Sequence, residues 1–227
     1  MYAFLTGPMF WTSIAVFVIG LAARGLWYVR GLHWQLDRVA YRAHPKAGMR
    51  GAARSIFRWL LPFGTYGWRT QPFMTVAFFL FHTGAVLVPI FLLGHNAFLH
   101  EKIGMALPAM PQGLADLLTW AALAGIVMLV LRRIALPEVR ILTTGYDYLI
   151  LVVSAAPFVT GLMARYTVGD TSLWLLVHIV CGEILLISAP FTKLSHILLF
   201  FMSRGQLGMD YGIKRGGMKA HSKGMAW

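Results

Sequence analysis

Eight histidines stand in the chain, and four of them fall inside or at the ends of long apolar runs: His82, His95, His178 and His196. An ionisable side chain at membrane depth is costly and marks function by default. His178 and His196 are 18 residues apart, which at about 100° per residue returns to one helix face about 27 Å further along. His82 and His95 are 13 apart, about 20 Å, and an ideal helix leaves them roughly 140° out of phase. Pro89 lies between them and can kink the helix, which would restore the facing. If the two runs cross in opposite directions, depth pairs His82 with His196 and His95 with His178. Two stacked bis-histidine levels are what two b-type haems require, since neutral imidazole is a good axial ligand and apolar packing buries the macrocycle. Thr83, Gly84 and Gly94 would leave room for a flat ring. Zinc fits less well, because two ligands per level fall short of a closed tetrahedral site. A single haem, or four packing histidines, are the alternatives left open by spacing alone.

The elements that must hold these residues follow from composition. The 227 residues are 58% apolar and 12% charged, against about 45–50% and about 25% in soluble domains. That excludes a soluble globular domain, a disordered chain and a disulfide scaffold. Cys181 is the single cysteine, so the chain forms no internal disulfide and cannot ligate an iron–sulfur cluster by itself. Five stretches are near or above the roughly 20 residues a crossing needs: about Met9 to Trp27, Pro72 to Leu99, Leu114 to Leu131, Tyr146 to Met163, and a longer one from Ser172 to Met202. The expected fold is all-α, a polytopic membrane protein with five transmembrane helices. Residues 1–204 form one membrane domain. The first helix is read as uncleaved, because it has no basic leader and a dense positive segment follows it.

Charge placement gives the orientation. The net charge is +12, from 20 Lys and Arg against 8 Asp and Glu. Between the first two spans, residues 30–71 carry Arg30, Arg38, Arg42, Lys46, Arg50, Arg54, Arg58 and Arg69. Further basic groups cluster between spans three and four and after span five, whereas Lys102 and Arg165 stand on the other side. By the positive-inside rule the N-terminus is outside and the C-terminus cytoplasmic. Arg50, Arg54 and Arg58, beside Ile56, Phe57, Trp59, Leu60 and Leu61, predict a basic amphipathic helix lying in the headgroup region. A docking surface for a soluble partner is the alternative. The segment 205–227 holds six glycines and no apolar run, so it reads as a cytoplasmic tail that is disordered or ordered against another subunit.

The strings Phe-His-Thr-Gly at 81–84, Gly-His at 94–95 and Pro-Phe-Thr-Lys-Leu-Ser-His at 190–196 resemble the gamma, cytochrome b subunit of respiratory nitrate reductase and its relatives. Gly-Tyr-Asp-Tyr-Leu at 145–149 and Thr-Gly-Leu at 160–162 resemble that family's fourth helix. The size, basic first loop and glycine-rich tail are most similar to the cytochrome b subunits of high-molecular-weight cytochrome (Hmc) complexes of sulfate-respiring bacteria. The His82–His95 spacing is three residues longer than the nitrate reductase pattern, with Pro89 in the inserted turn. The resemblance implies two haems b on His82, His95, His178 and His196, in a multi-pass protein of the bacterial inner membrane. It further implies a cytoplasmic iron–sulfur partner related to heterodisulfide reductase, other membrane subunits, a periplasmic multihaem cytochrome c, and a menaquinone site.

Other residues carry lesser expectations. Arg165 and Lys193 sit at opposite helix ends, where they could contact haem propionates or snorkel to the interface. Glu183, inside the fifth span, could serve a quinone, hydrogen-bond a haem ligand as a supporting carboxylate, or stay a neutral acid. Lys102 and His100 lie near the outer level, where a quinone would bind. Nucleic acid is excluded as a partner, because the positive charge is segregated by membrane side rather than gathered on a folded domain. The expected role is an electron-transfer subunit moving electrons across the membrane. A quinol-oxidising cytochrome b of another anaerobic reductase or hydrogenase, and a haem-free membrane anchor, are the competing readings.

Overall fold

Apolar runs longer than a soluble core needs become helices here, because a backbone in lipid must satisfy its own N–H and C=O groups. A computed structural model describes residues 1–32, 45–166 and 170–216, and all the regular structure among them is helical. Five helices are long and apolar enough to cross a membrane: Tyr2–Arg30 (α1), Pro72–Phe91 (α4), Gln112–Ala135 (α6), Gly145–Tyr166 (α8), and Thr171–Ser188 (α9), which runs on to Phe191 as a 3₁₀ turn. Only 11–28% of the residues in the apolar core of each are buried. Val18, Leu117 and Val152 are more than half exposed, so the outward faces are made for lipid rather than water. Shorter helices are Pro45–Leu60 (α2), Tyr66–Thr70 (α3), Leu93–Ile103 (α5) and Pro137–Arg140 (α7). His196–Gly216 (α10) closes the described chain.

The contacts divide the chain into two compact units. One joins Met1–Phe10 with Gln71–Leu185, and the other joins Trp11–Thr70 with the chain from Leu186 on. In the first unit, α4 and α6 pack antiparallel through small residues. A Cβ on Gly84 would stand 2.3 Å from the Leu118 carbonyl oxygen, and one on Gly125 would stand 2.6 Å from the Phe81 nitrogen. Ala77 and Ala122 are completely buried. Close backbone approach of this kind is how helices associate where lipid removes the hydrophobic drive. Gly84 therefore makes room for a neighbouring helix, not for the flat ring that sequence suggested.

In the second unit, α10 runs alongside α1. Pro190 packs at Gly20, Leu198 and Met202 at Gly25, and the Tyr28 hydroxyl donates to Gln206. α2 packs along α10, where a Cβ on Gly208 would stand 2.5 Å from the Gly51 carbonyl oxygen and 2.6 Å from Ser55 Cβ.

Two sequence expectations change. The fifth span is not one long helix, because α9 ends at Ser188 and two 3₁₀ turns, Ala189–Phe191 and Lys193–Ser195, precede α10. Pro190 lacks the N–H that would continue the helix. The same-face arithmetic between His178 and His196 does not carry across that break. The segment 205–216, expected to have no fold within this chain, is helix packed on α2, with Gly208 chosen for close approach rather than for flexibility. His33, His44, His221, Arg38, Arg42 and the tail from 217 on lie outside the described residues.

Candidate imidazole site

Pro89 does more than bend the second span. The helix stops at Phe91, with Leu92 in an extended conformation (φ −68°, ψ 132°), and restarts as α5. A helix end leaves its last carbonyls without intrahelical partners. Here each one is met. The Leu92 N–H donates to Val88 O at 3.0 Å and the Met110 N–H to Phe91 O at 2.8 Å. His95 Nδ1 donates to Pro89 O at 3.0 Å. Asn96 Nδ2 donates to Ile90 O at 3.2 Å and to Leu92 O at 3.4 Å. Asn96 Oδ1 in turn accepts the Leu107 N–H at 3.0 Å. Asn96 is only 3% exposed, so one buried amide ties the broken span to the chain that follows Gly104, itself a left-handed C-cap (φ 70°).

The break brings His95 to His178. Their rings lie within 10° of parallel, with centroids 5.8 Å apart. His178 Nδ1 donates to Pro157 O at 2.9 Å and stands 3.4 Å from the Thr160 hydroxyl. That hydroxyl donates to Ala156 O at 2.7 Å. Gly161 is the floor of the ring: a Cβ there would meet His178 Cε1 at 3.2 Å and Nδ1 at 3.3 Å. A carbonyl accepts only, so both rings must carry the proton on Nδ1. Nε2 is then the lone-pair nitrogen of each, which is the tautomer a metal takes, oriented by a backbone partner.

Two neutral imidazoles side by side are a nitrogen donor set, and its fit to a metal can be judged from the number of donors. Among the described residues no three His, Cys, Asp or Glu side chains converge on a metal position. A closed zinc site would need more donors. A haem iron needs two from the protein, since the macrocycle supplies the other four, so the donor set fits a bis-histidine haem.

The other predicted histidines are placed as follows. His82 Nδ1 donates to Phe78 O at 2.8 Å, and its ring lies on that of Phe78 with centroids 3.9 Å apart. His196 Nδ1 donates to Lys193 O at 2.8 Å. All four histidines thus share one tautomer. His82 belongs to the first unit and His196 to the second; within the first unit the structure brings His95 to His178.

Arg165 is engaged with Asp116, its Nε donating to both carboxylate oxygens at 3.0 and 3.2 Å. Gln112 and the Tyr166 hydroxyl donate to the same carboxylate at 2.8 and 2.9 Å. This hub clips α6 to α8, and no sequence argument singled out Asp116. Lys102 pairs with exposed Glu101 at 2.9 Å and lies over the Phe98 ring. Glu183 is 5% exposed, and its Oε1 has no hydrogen-bond partner among the described residues. Lys193 is exposed. Asn96 was also missed, although an asparagine beside a histidine within an apolar run is the signal that would have found it.

The fold and site together define a polytopic helical membrane protein carrying a fixed imidazole pair. The chain belongs to one family with a protein of Nitratidesulfovibrio vulgaris (strain Hildenborough), to which it is 69% identical over 217 residues, 96% of each chain. No protein-family model matches the sequence, and no solved structure matches it.

Proposed function

We propose that this protein is a di-haem cytochrome b subunit that carries electrons across a bacterial inner membrane. The observation that supports it most is the His95–His178 pair: two near-parallel rings, each with Nδ1 engaged by a proline carbonyl and each offering Nε2. His95 and His178 would hold one haem, and the sequence resemblance implies His82 and His196 for the other. The group supplies one-electron redox chemistry when bound. The chain's own part is to hold the rings in one tautomer, exclude water with apolar spans and set the spacing. With the N-terminus outside, as the charge count expects, the His95 level faces the periplasm. A multihaem cytochrome c, directly or through menaquinone, is then the partner on that side. An iron–sulfur subunit related to heterodisulfide reductase is the partner on the cytoplasmic side, as the resemblance implies.

A competing reading has its own observation. His95 caps a broken helix, so a haem-free anchor would also have a use for it. A pyridine haemochrome assay on the purified complex, counting haem b per chain apart from any haem c, separates the two. Two haems b, falling to one in His95→Ala, are expected. No haem b in the wild-type complex would leave the anchor.

A further inference from the structure

The second unit carries a surface that the imidazole site does not use. We propose that the outward face of α2 is a docking surface for an acidic protein. α2 turns its small residues, Gly48, Gly51, Ala52 and Ser55, inward, and Gly51, Ala52 and Ser55 meet α10 at Gly208. Its outward face carries two adjacent rows at four-residue spacing. Lys46, Arg50, Arg54 and Arg58 form one and are all exposed. None of these four has an ion-pair partner among the described residues. Met49, Ala53 and Phe57 form the other, with Met49 67% and Phe57 66% exposed.

The course of α10 decides what covers this face. Gly25 meets Leu198 and Met202, Tyr28 meets Gln206, and α1 ends at Arg30. α10 therefore runs on past the last turn of the span, and Gly208 lies beyond the Tyr28 contact. α2 is antiparallel to it: Arg204 lies over the Trp59 ring at 4.2 Å, and Gly51 is at Gly208. At about 1.5 Å per residue, Gly51 stands about 12 Å further out than Trp59, and Lys46 further still. A helix in the headgroup plane would lie across the span, whereas α2 stands alongside its continuation. α2 is tied to α3 as well, because the Trp59 and Trp68 rings meet edge-on with centroids 5.4 Å apart and Trp68 Nε1 donates to Trp59 O at 3.3 Å. Arginine, methionine and aromatic residues together are the composition of a protein interface core. Four like charges in a row repel a second copy of themselves and attract carboxylates. The inference rests on neither the histidine pair nor the redox reading.

The test places p-benzoylphenylalanine at position 57 of the full chain in membranes of its native host, irradiates them, and identifies adducts by mass spectrometry. The expected product is a protein adduct whose cross-linked peptide is rich in Asp and Glu. Its yield should fall at least tenfold on Arg50→Glu, Arg54→Glu, Arg58→Glu reversal and persist with the three Lys replacements. Irradiating the wild-type-charge chain in high salt should lower the yield as well, which keeps the test valid if the reversed chain fails to fold. Adducts only with phospholipid, only with a second copy of this chain, or with nothing would overturn the proposal. So would a protein adduct indifferent to both charge and salt.

Discussion

Asn96 and Leu107 are joined across a chain reversal: the Leu107 N–H donates to Asn96 Oδ1 at 3.0 Å, while the same amide's nitrogen caps two carbonyls of the broken second span. Replacing Asn96 with Leu removes the partners of two backbone groups, the Ile90 carbonyl and the Leu107 N–H, while Leu92 O keeps the backbone N–H of residue 96 at 3.0 Å; each lost bond is worth about 0.5–1.5 kcal/mol. The variant should melt well below the wild type in detergent. It should also lose the haem assigned to His95, whose ring depends on the same helix end. Asn96→Asp keeps the acceptor to Leu107 and should lie between the two. A wild-type melting temperature for Asn96→Leu would refute the assignment.

Gly161→Ala tests the floor beneath His178. The added methyl would meet the ring at 3.2–3.3 Å, tighter than comfortable contact but not a backbone clash. The fold should survive with a loss of about 1 kcal/mol. Because the ring must tilt, the readout is the low-spin electron paramagnetic resonance signal of the haem proposed for that site, which should shift while the signal of the second proposed haem stays. Two unchanged signals would show that Gly161 does not set the ring.

Two glycines near the site should respond oppositely. A Cβ at Gly84 would be 2.3 Å from the Leu118 carbonyl, whereas at Gly94 nothing lies within 4 Å. Gly84→Ala should cost about 1–3 kcal/mol or more by forcing α4 from α6. Gly94→Ala should be neutral or stabilise by up to about 1 kcal/mol, since alanine loses less freedom in a helix. Thermal unfolding of both variants in one detergent gives the comparison, and equal losses would contradict the packing.

Asp170 gives a pH dependence outside the spans. Its carboxylate accepts from the Ser172 hydroxyl, the Ser172 N–H at 3.0 Å and the Leu173 N–H at 3.4 Å. Those bonds, led by the Ser172 hydroxyl, hold its pKa below the ordinary carboxylate value. A lowered folded pKa means that the capping contribution is fully present above the unfolded value of about 3.9 and is lost as pH falls through the folded one. Amide exchange at Ser172 and Leu173 should quicken below that point, and Asp170→Asn should remove the transition.

The spans were legible because length and hydropathy alone decide what crosses a bilayer. Pro89 was legible as a break, but the position of the break at Leu92 was not. It depends on His95, Asn96 and Met110 finding carbonyls after the chain has turned back, and no local pattern encodes that. Pro190 carried a comparable signal, which the 18-residue histidine spacing masked by suggesting one continuous helix. Glycine was the least legible residue. Gly84 and Gly208 read as room and as slackness, yet both are points where two backbones touch. The Arg165–Asp116 link, with partners 49 residues apart, needed the third and fourth spans to be antiparallel neighbours.

The proline carbonyls that engage His95 and His178 have one more consequence. Both rings are oriented by the polypeptide itself, so the entropy of fixing two imidazoles is lost during folding and not again when a group enters between them. A haem bound as proposed would then meet two imidazoles already oriented by the fold, and little of its binding energy would go to ordering them.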